Sequence, residues 1–236
     1  NTCPGAGSCQ LVCYARKGFY GMNDGKVLKL IQRLNLLMNE PEEYYHMIID
    51  ELGPLAYKLK RQGRREGTKP QLVIRWNDAG DFFSQKYIED LLDDGFNVKS
   101  YAYTKQAKFV NLASEKFIMN FSKGSAPKEL RQVDLEKTKY SDIIPREVLD
   151  GIFQKKGPHY VKGDDGLPLF VDGGKEELKK RVAKKYNIDI NRLKYHPELP
   201  PTEGKPLQYD VIVLPTGDTD LSAQRKDVHK TFLAIH

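Results

Sequence analysis

Between residues 71 and 121 the chain alternates short β-branched or aromatic runs with amphipathic helical stretches, and this alternation restricts the fold more than any other feature. The run QLVIRW (71–76) is apolar and bounded by Pro70 on one side and Asn77, Asp78 and Gly80 on the other, as expected of a buried strand. Ser84 can cap a helix over 85–93, whose Tyr87, Ile88, Leu91 and Leu92 share one apolar face and which Gly95 stops. Residues 98–103 read as the next strand, 105–112 as a helix and 116–121 as a third strand. Strands separated by helices can pair in parallel, because the intervening helix carries the chain back across the sheet with right-handed sense. The fold class implied is α/β.

The flanks extend this pattern. KVLKLIQRLNLLMN (26–39) places Val27, Leu28, Leu30, Ile31, Leu34, Leu37 and Met38 at helical spacing. Pro41, Glu42 and Glu43 suit the first turn of a second helix, expected to run to about Arg61 and to give way to an exposed basic loop over 61–69. Residues 125–174 are rich in proline, glycine and charge, and read as a loop-rich insertion with one short helix near 145–153. KEELKKRVAKKY (175–186) reads as a helix and YDVIVL (209–214) as a last buried strand. A chain of 236 residues can bury one continuous core, so a single domain over 1–236 is expected.

No apolar run of roughly 18 residues is present, which excludes a helical membrane span. Lysine and arginine number 38 against 32 acidic residues, a surplus of +6 that is compatible with nucleic-acid contact but does not require it. The first residue is Asn1, so the natural start is expected to lie ahead of it.

All three cysteines fall in the segment CPGAGSCQLVCYA, with the spacing C-x5-C-x3-C over Cys3, Cys9 and Cys13. An odd number of cysteines confined to one loop does not make a disulfide framework, which spreads its bridges along a chain; a reducing, cytoplasmic setting is expected. Three thiolates on a glycine-bearing loop can converge on one metal site, since Gly5 and Gly7 let the backbone fold around it and offer N–H groups to bridging sulfides. An iron–sulfur cluster held this way keeps one iron without a protein ligand, open to a small molecule. Zinc is the competitor, but a structural zinc wants four ligands. The fourth would have to be His46, His159, His196, His229 or His236, none of which has ligand-like spacing. Three unligated thiols is the third reading.

The triplet ending Cys13, Tyr14, Ala15 and followed by a helix resembles radical S-adenosylmethionine (SAM) proteins, whose three cysteines hold a 4Fe-4S cluster, although their usual spacing is C-x3-C-x2-C. The stretch 73–106 resembles the second and third βα units of the partial (β/α) barrel of that family. CPGAGSCQLVCYARKGFY together with RWNDAGDFFS and YAYTK is similar to a phage family known as gene product 88. The resemblance implies a radical-SAM-like partial barrel with the irregular insertion, a 4Fe-4S cluster on Cys3, Cys9 and Cys13, and SAM at the open iron. It puts Asn77, Asp78, Gly80 and Asp81 where the methionyl amine is received, with Thr104 and Ser122 after the next two strands. The familiar Gly-Gly-Glu wording is absent. An unnamed substrate, an electron donor and, for a phage protein, the host cytoplasm follow.

Each of these positions has a plainer reading. Asn77 to Gly80 can be only a βα turn, since Asn, Asp and Gly are turn formers. Tyr14, Phe19 and Tyr20 can simply pack the loop, and Arg75 and Lys105 can form ordinary ion pairs rather than hold a carboxylate or phosphate. Tyr101 and Tyr103 share a face across Ala102 and could reach a substrate. The alternative function keeps the cluster as a structural or redox-sensing element in a nucleic-acid-binding protein, with 61–69 and 175–185 as the contact surface.

Overall fold

The computed structural model describes residues 5–7, 24–76, 81, 98–114, 117–215 and 222–234. The helical spacing of the first apolar run gives α1 (Asp24–Asn39), and one residue later Pro41 opens α2 (Pro41–Glu66). The two helices pack as a hairpin. α2 ends at Gly67, whose left-handed φ of 66° lets its N–H reach the Gly63 carbonyl.

The second helix therefore runs through the basic stretch that reads as the start of a loop. Lys, Arg and Gln are good helix formers, and the misleading residue is Gly63. It is buried, and a Cβ there would sit 2.3 Å from Pro70 Cδ and 2.7 Å from the Thr68 carbonyl oxygen. Gly63 lets the chain fold back against the helix; it does not end the helix.

Seven strands make one parallel sheet. β1 (Val73–Trp76), β2 (Lys99–Thr104) and β3 (Phe117–Ser122) follow the predicted order. A short helix α3 (Pro127–Leu130) precedes β4 (Tyr140–Ile143), and α4 (Arg146–Leu149) follows it. A small antiparallel hairpin, β5 (Lys155–Lys156) with β6 (His159–Tyr160), stands apart from the main sheet. α5 (Gly174–Tyr186) then leads to β7 (Leu193–Tyr195), β8 (Tyr209–Val213) and β9 (Val228–Leu233).

The order across the sheet is β1-β2-β3-β4-β9-β8-β7, with every neighbouring pair parallel. The first four strands stand in chain order and the last three run back toward them. Among the described residues β1 and β7 are the edges, and the sheet does not close on itself. The stretch 125–174 contributes β4 to the middle of this sheet. The predicted helix over 105–112 is a 3-10 helix, Ala107–Leu112. The helix expected over 85–93 lies outside the described residues.

Parallel strands are buried on both faces, and the register separates the two. On one face Ile74, Trp76, Ala102, Phe117 and Met119 meet Phe109 and Leu37, Tyr44, Tyr45, Ile48 and Leu52 of the α1–α2 hairpin. Farther along that face Leu193, Tyr195, Ile212 and Phe232 pack on Val148, Leu149, Leu178 and Val182 from α4 and α5. Burying each large side chain of this set contributes roughly 1.5–3 kcal/mol. The opposite face carries Val73, Tyr101 and Ile118 against Ala223, then Val211, Val213 and Leu233.

Candidate cluster site at the strand ends

Parallel strands deliver all their C-terminal ends to one edge, where α/β proteins build their sites. Here that edge receives residues 5–7, which lie between Cys3 and Cys9 in sequence. Ala6 forms an antiparallel bridge with Ser125, Gly7 N–H donates to the Gly124 carbonyl at 3.0 Å, and Ala126 N–H donates to the Gly5 carbonyl at 2.9 Å. The turn 123–126 follows β3 directly, and its shape is set by the Ser122 carbonyl, which accepts from both the N–H and the hydroxyl of Ser125.

The two glycines are required by how closely the backbones approach. A Cβ on Gly5 would stand 2.4 Å from the Lys105 carbonyl oxygen, just past the end of β2, and one on Gly7 would stand 2.5 Å from the Ser125 carbonyl oxygen. No side chain fits at either place. The segment 5–7 thus lies across the ends of β2 and β3.

Asp81 braces the first of these contacts from below. It is 2% exposed, and its carboxylate accepts from the Thr104 hydroxyl at 2.8 Å and from the Lys105 N–H at 2.6 Å. Thr104 Oγ1 in turn accepts from the Gln106 N–H at 3.1 Å. Two predicted site residues, Asp81 and Thr104, are therefore brought together, and they fix the turn on which Gly5 rests. Ser122 stands at the neighbouring strand end. Cys3, Cys9, Cys13, Asn77, Asp78 and Gly80 lie outside the described residues, as do Tyr14, Phe19 and Tyr20.

On the sheet face away from the α1–α2 hairpin, the Arg75 guanidinium lies 5.4 Å from the Tyr103 ring centroid, and Tyr101 meets Tyr103 edge to face at 6.4 Å. Asn120, fully buried on the same face, donates to the carbonyls of Ala102 and Ala223 at 3.3 and 3.1 Å. Sequence reading did not single out Asn120; a polar residue within the apolar run KFIMNF was the available signal.

The histidines weighed as zinc ligands are engaged elsewhere or exposed. His229 is buried at the start of the interior strand β9, at the N-terminal ends of the strands, where Nε2 lies 3.0 Å from the Leu135 carbonyl and burial lowers its pKa. His196 Nδ1 pairs with Ser222 Oγ at 2.6 Å. His46 and His159 are exposed, and His236 lies outside the described residues.

What the structure describes of the cysteine-bearing segment is residues 5–7, seated on the strand ends where a Cβ on Gly5 or Gly7 would meet backbone. Among the described residues no group of His, Cys, Asp or Glu is arranged to hold a metal ion. A family model described as Gene product 88 matches residues 1–185. The chain belongs to the gene product 88 family. No curated protein and no solved structure matches this chain. The matched part of this gene product 88 member spans the cysteine loop, the turns that seat it and β1 to β4, and stops before β7 to β9. Among the described residues no helix is long and apolar enough to cross a membrane.

Proposed function

We propose that this gene product 88 family member binds one 4Fe-4S cluster through Cys3, Cys9 and Cys13 at the C-terminal edge of a radical-SAM-like sheet, and takes S-adenosylmethionine at the iron without a protein ligand. The observation that carries this reading is the docking of Gly5–Gly7 on the turns after β2 and β3. Cys3 stands two positions before Gly5, and Cys9 two positions after Gly7, with one residue between in each case. A two-residue tether spans about 7 Å at most, which supports a cluster within reach of the strand ends.

When bound, the cluster supplies an electron for breaking a carbon–sulfur bond of SAM; the protein supplies position and exclusion of water. Asp81 holds the turn after β2, so that the loop meets a fixed surface. Asn77, Asp78 and Gly80, at the end of β1, would receive the methionyl amine, with Asp81, Thr104 and Ser122 forming the floor beside them. Arg75 and Tyr103, half-buried on the face away from the helices, would present a cation and a hydroxyl to a substrate there, with Tyr101 packed behind them. A reduced electron donor in the host cytoplasm would complete the reaction.

Anaerobic purification with iron and sulfide analysis, then electron paramagnetic resonance of the reduced protein with and without SAM, tests the reading. About four iron atoms per chain and a signal that shifts with SAM are expected. A brown protein with a SAM-insensitive signal would make the cluster structural or redox-sensing, and a colourless protein holding one zinc would remove both readings.

A further inference from the structure

The helix α2 is polarised along its length. Four of its five acidic residues, Glu42, Glu43, Asp50 and Glu51, lie in the first half, whereas Lys58, Lys60, Arg61, Arg64 and Arg65 fill the second, ahead of Glu66 at the end. At 3.6 residues per turn these five cations fall on a single arc of roughly 160°. The arc is the exposed side, because Leu52 and Gly63 on the other side pack inward. Tyr57 stands within it at 70% exposure, one turn before Lys60 and Arg61. Lys69, in the link that follows, is exposed as well.

Two plainer explanations cover only part of this. Cations at a helix C-terminus complement the helix dipole, but the effect is confined to the last turn and so applies to Arg64 and Arg65 alone. Surface cations are also commonly neutralised by neighbouring acids. That holds for four of the six cations of α5: Lys175 and Lys179 both pair with Glu198, Arg181 with Glu177, and Lys185 with Glu147, while Lys180 and Lys184 are exposed without an ion pair among the described residues and without an aromatic ring between them. The five cations of α2 have no ion pair among the described residues, and nearby Glu66 accepts instead from Gln62. Neither explanation accounts for an exposed aromatic ring among unpaired cations.

We propose that the exposed face of α2 from Tyr57 to Arg65 binds single-stranded nucleic acid, with the five cations on successive phosphates and Tyr57 stacked on a base. An aromatic ring inside a track of positive charge is the arrangement that holds single strands without reading sequence. An anionic membrane surface would instead need a continuous apolar side left free next to the cations, whereas Tyr44, Tyr45, Ile48 and Leu52 of α2 pack on the sheet and Met47 and Leu55 are left as separate half-exposed residues. The helix runs through a six-residue link into the start of β1, so the basic end lies toward the edge opposite the cysteine loop. The surface is a tether for a nucleic acid, independent of the cluster.

Fluorescence anisotropy with labelled dT20 and rU20, each against a duplex of the same length, tests this on the full chain. With four or five phosphates neutralised, log Kd should change with log salt at a slope near 3. The triple variant Arg61→Gln, Arg64→Gln, Arg65→Gln should lower that slope by about 2. Tyr57→Ala should weaken single-strand binding roughly tenfold with the slope unchanged. Lys180→Gln with Lys184→Gln on α5 should leave binding as it is, and circular dichroism checks that each variant is folded. Preference for dT20 or rU20 would tell DNA from RNA. Equal affinity for duplex with no effect of Tyr57→Ala, binding indifferent to the α2 variants, or tighter binding to phosphatidylserine vesicles than to dT20 would each overturn the proposal.

Discussion

Asp81 and Thr104 are joined by a buried hydrogen bond of 2.8 Å, and the same carboxylate takes the backbone N–H of Lys105 at 2.6 Å. One side chain thus closes the end of β2 and shapes the turn against which Gly5 lies. Asp81→Ala strands a hydroxyl and an amide in a buried place. The expected loss is about 2–3 kcal/mol, read as a shift of the urea midpoint. Thr104→Val should cost less, and the double variant should cost clearly less than the sum, because the two residues share one bond. Strict additivity of the two changes would show that the bond is not made.

Gly5→Ala and Gly7→Ala probe the seat of the loop. Each added Cβ meets backbone at 2.4–2.5 Å, where nothing can swing aside. The segment should lift from the turn 123–126 while the sheet persists. Amide exchange at Gly7 and Ala126 should accelerate at least tenfold, with exchange at Phe232 in β9 unchanged. Slow exchange at Ala126 in both variants would contradict the docking, and if the cluster reading holds, iron content should fall in parallel.

The parts of this protein that could be read from its sequence are those in which local pattern and tertiary role agree. QLVIRW, the strand carrying Tyr101 and Tyr103, and KFIMNF are apolar enough to be buried on both faces, so β1, β2 and β3 appear within a residue or two of expectation. β4 and β9 were not legible. YSDI and VHKTFL carry Asp142, His229 and Lys230, whose polar groups are met by residues far away in sequence, Lys123 with Asp142, Leu135 with His229 and Glu136 with Lys230, although Asp142 also accepts from the neighbouring Ile143 N–H. β7 has three residues, too short for any periodicity. Of the site, Asp81 and Thr104 could be picked out by their place at or after strand ends, and the two loop glycines by their place between Cys3 and Cys9. That Asp81 serves Thr104, and that Gly5 serves Lys105, depends on strand pairing that no local pattern encodes.

Lys139 sits in an unusual position, buried and held by the carbonyls of Ser222 and Val228 at 3.2 and 2.7 Å. Burial lowers its pKa to about 7, with Asp227 and Glu203 opposing the shift. An unfolded lysine keeps its proton up to about pH 10.4. Between pH 7 and 10 the folded protein therefore binds fewer protons at this site, and stability should rise with pH, by no more than about 1.4 kcal/mol per unit. Lys139→Met removes the titrating group, so the difference between wild type and variant should change across that window. Denaturation curves whose separation is the same at pH 7 and pH 10 would mean that Lys139 keeps an ordinary pKa.

Glu198 shows the opposite balance at the end of β7. Burial disfavours its ionised form, but hydrogen bonds from Lys175, the Tyr195 N–H and Lys179 outweigh that and hold its pKa at about 2. A carboxylate with a lowered pKa adds stability that is complete above its ordinary value and disappears as pH falls through the folded value. The contribution should thus be full at pH 7 and fade between about pH 4.5 and pH 2. The site is open enough for solvent to screen the lysines, so Glu198→Gln should cost only about 1 kcal/mol at pH 7. The same substitution should cost almost nothing at pH 2. Thermal midpoints of wild type and variant should converge on acidification, and a gap that persists at pH 2 would assign the role of Glu198 to packing of its stem and not to its charge.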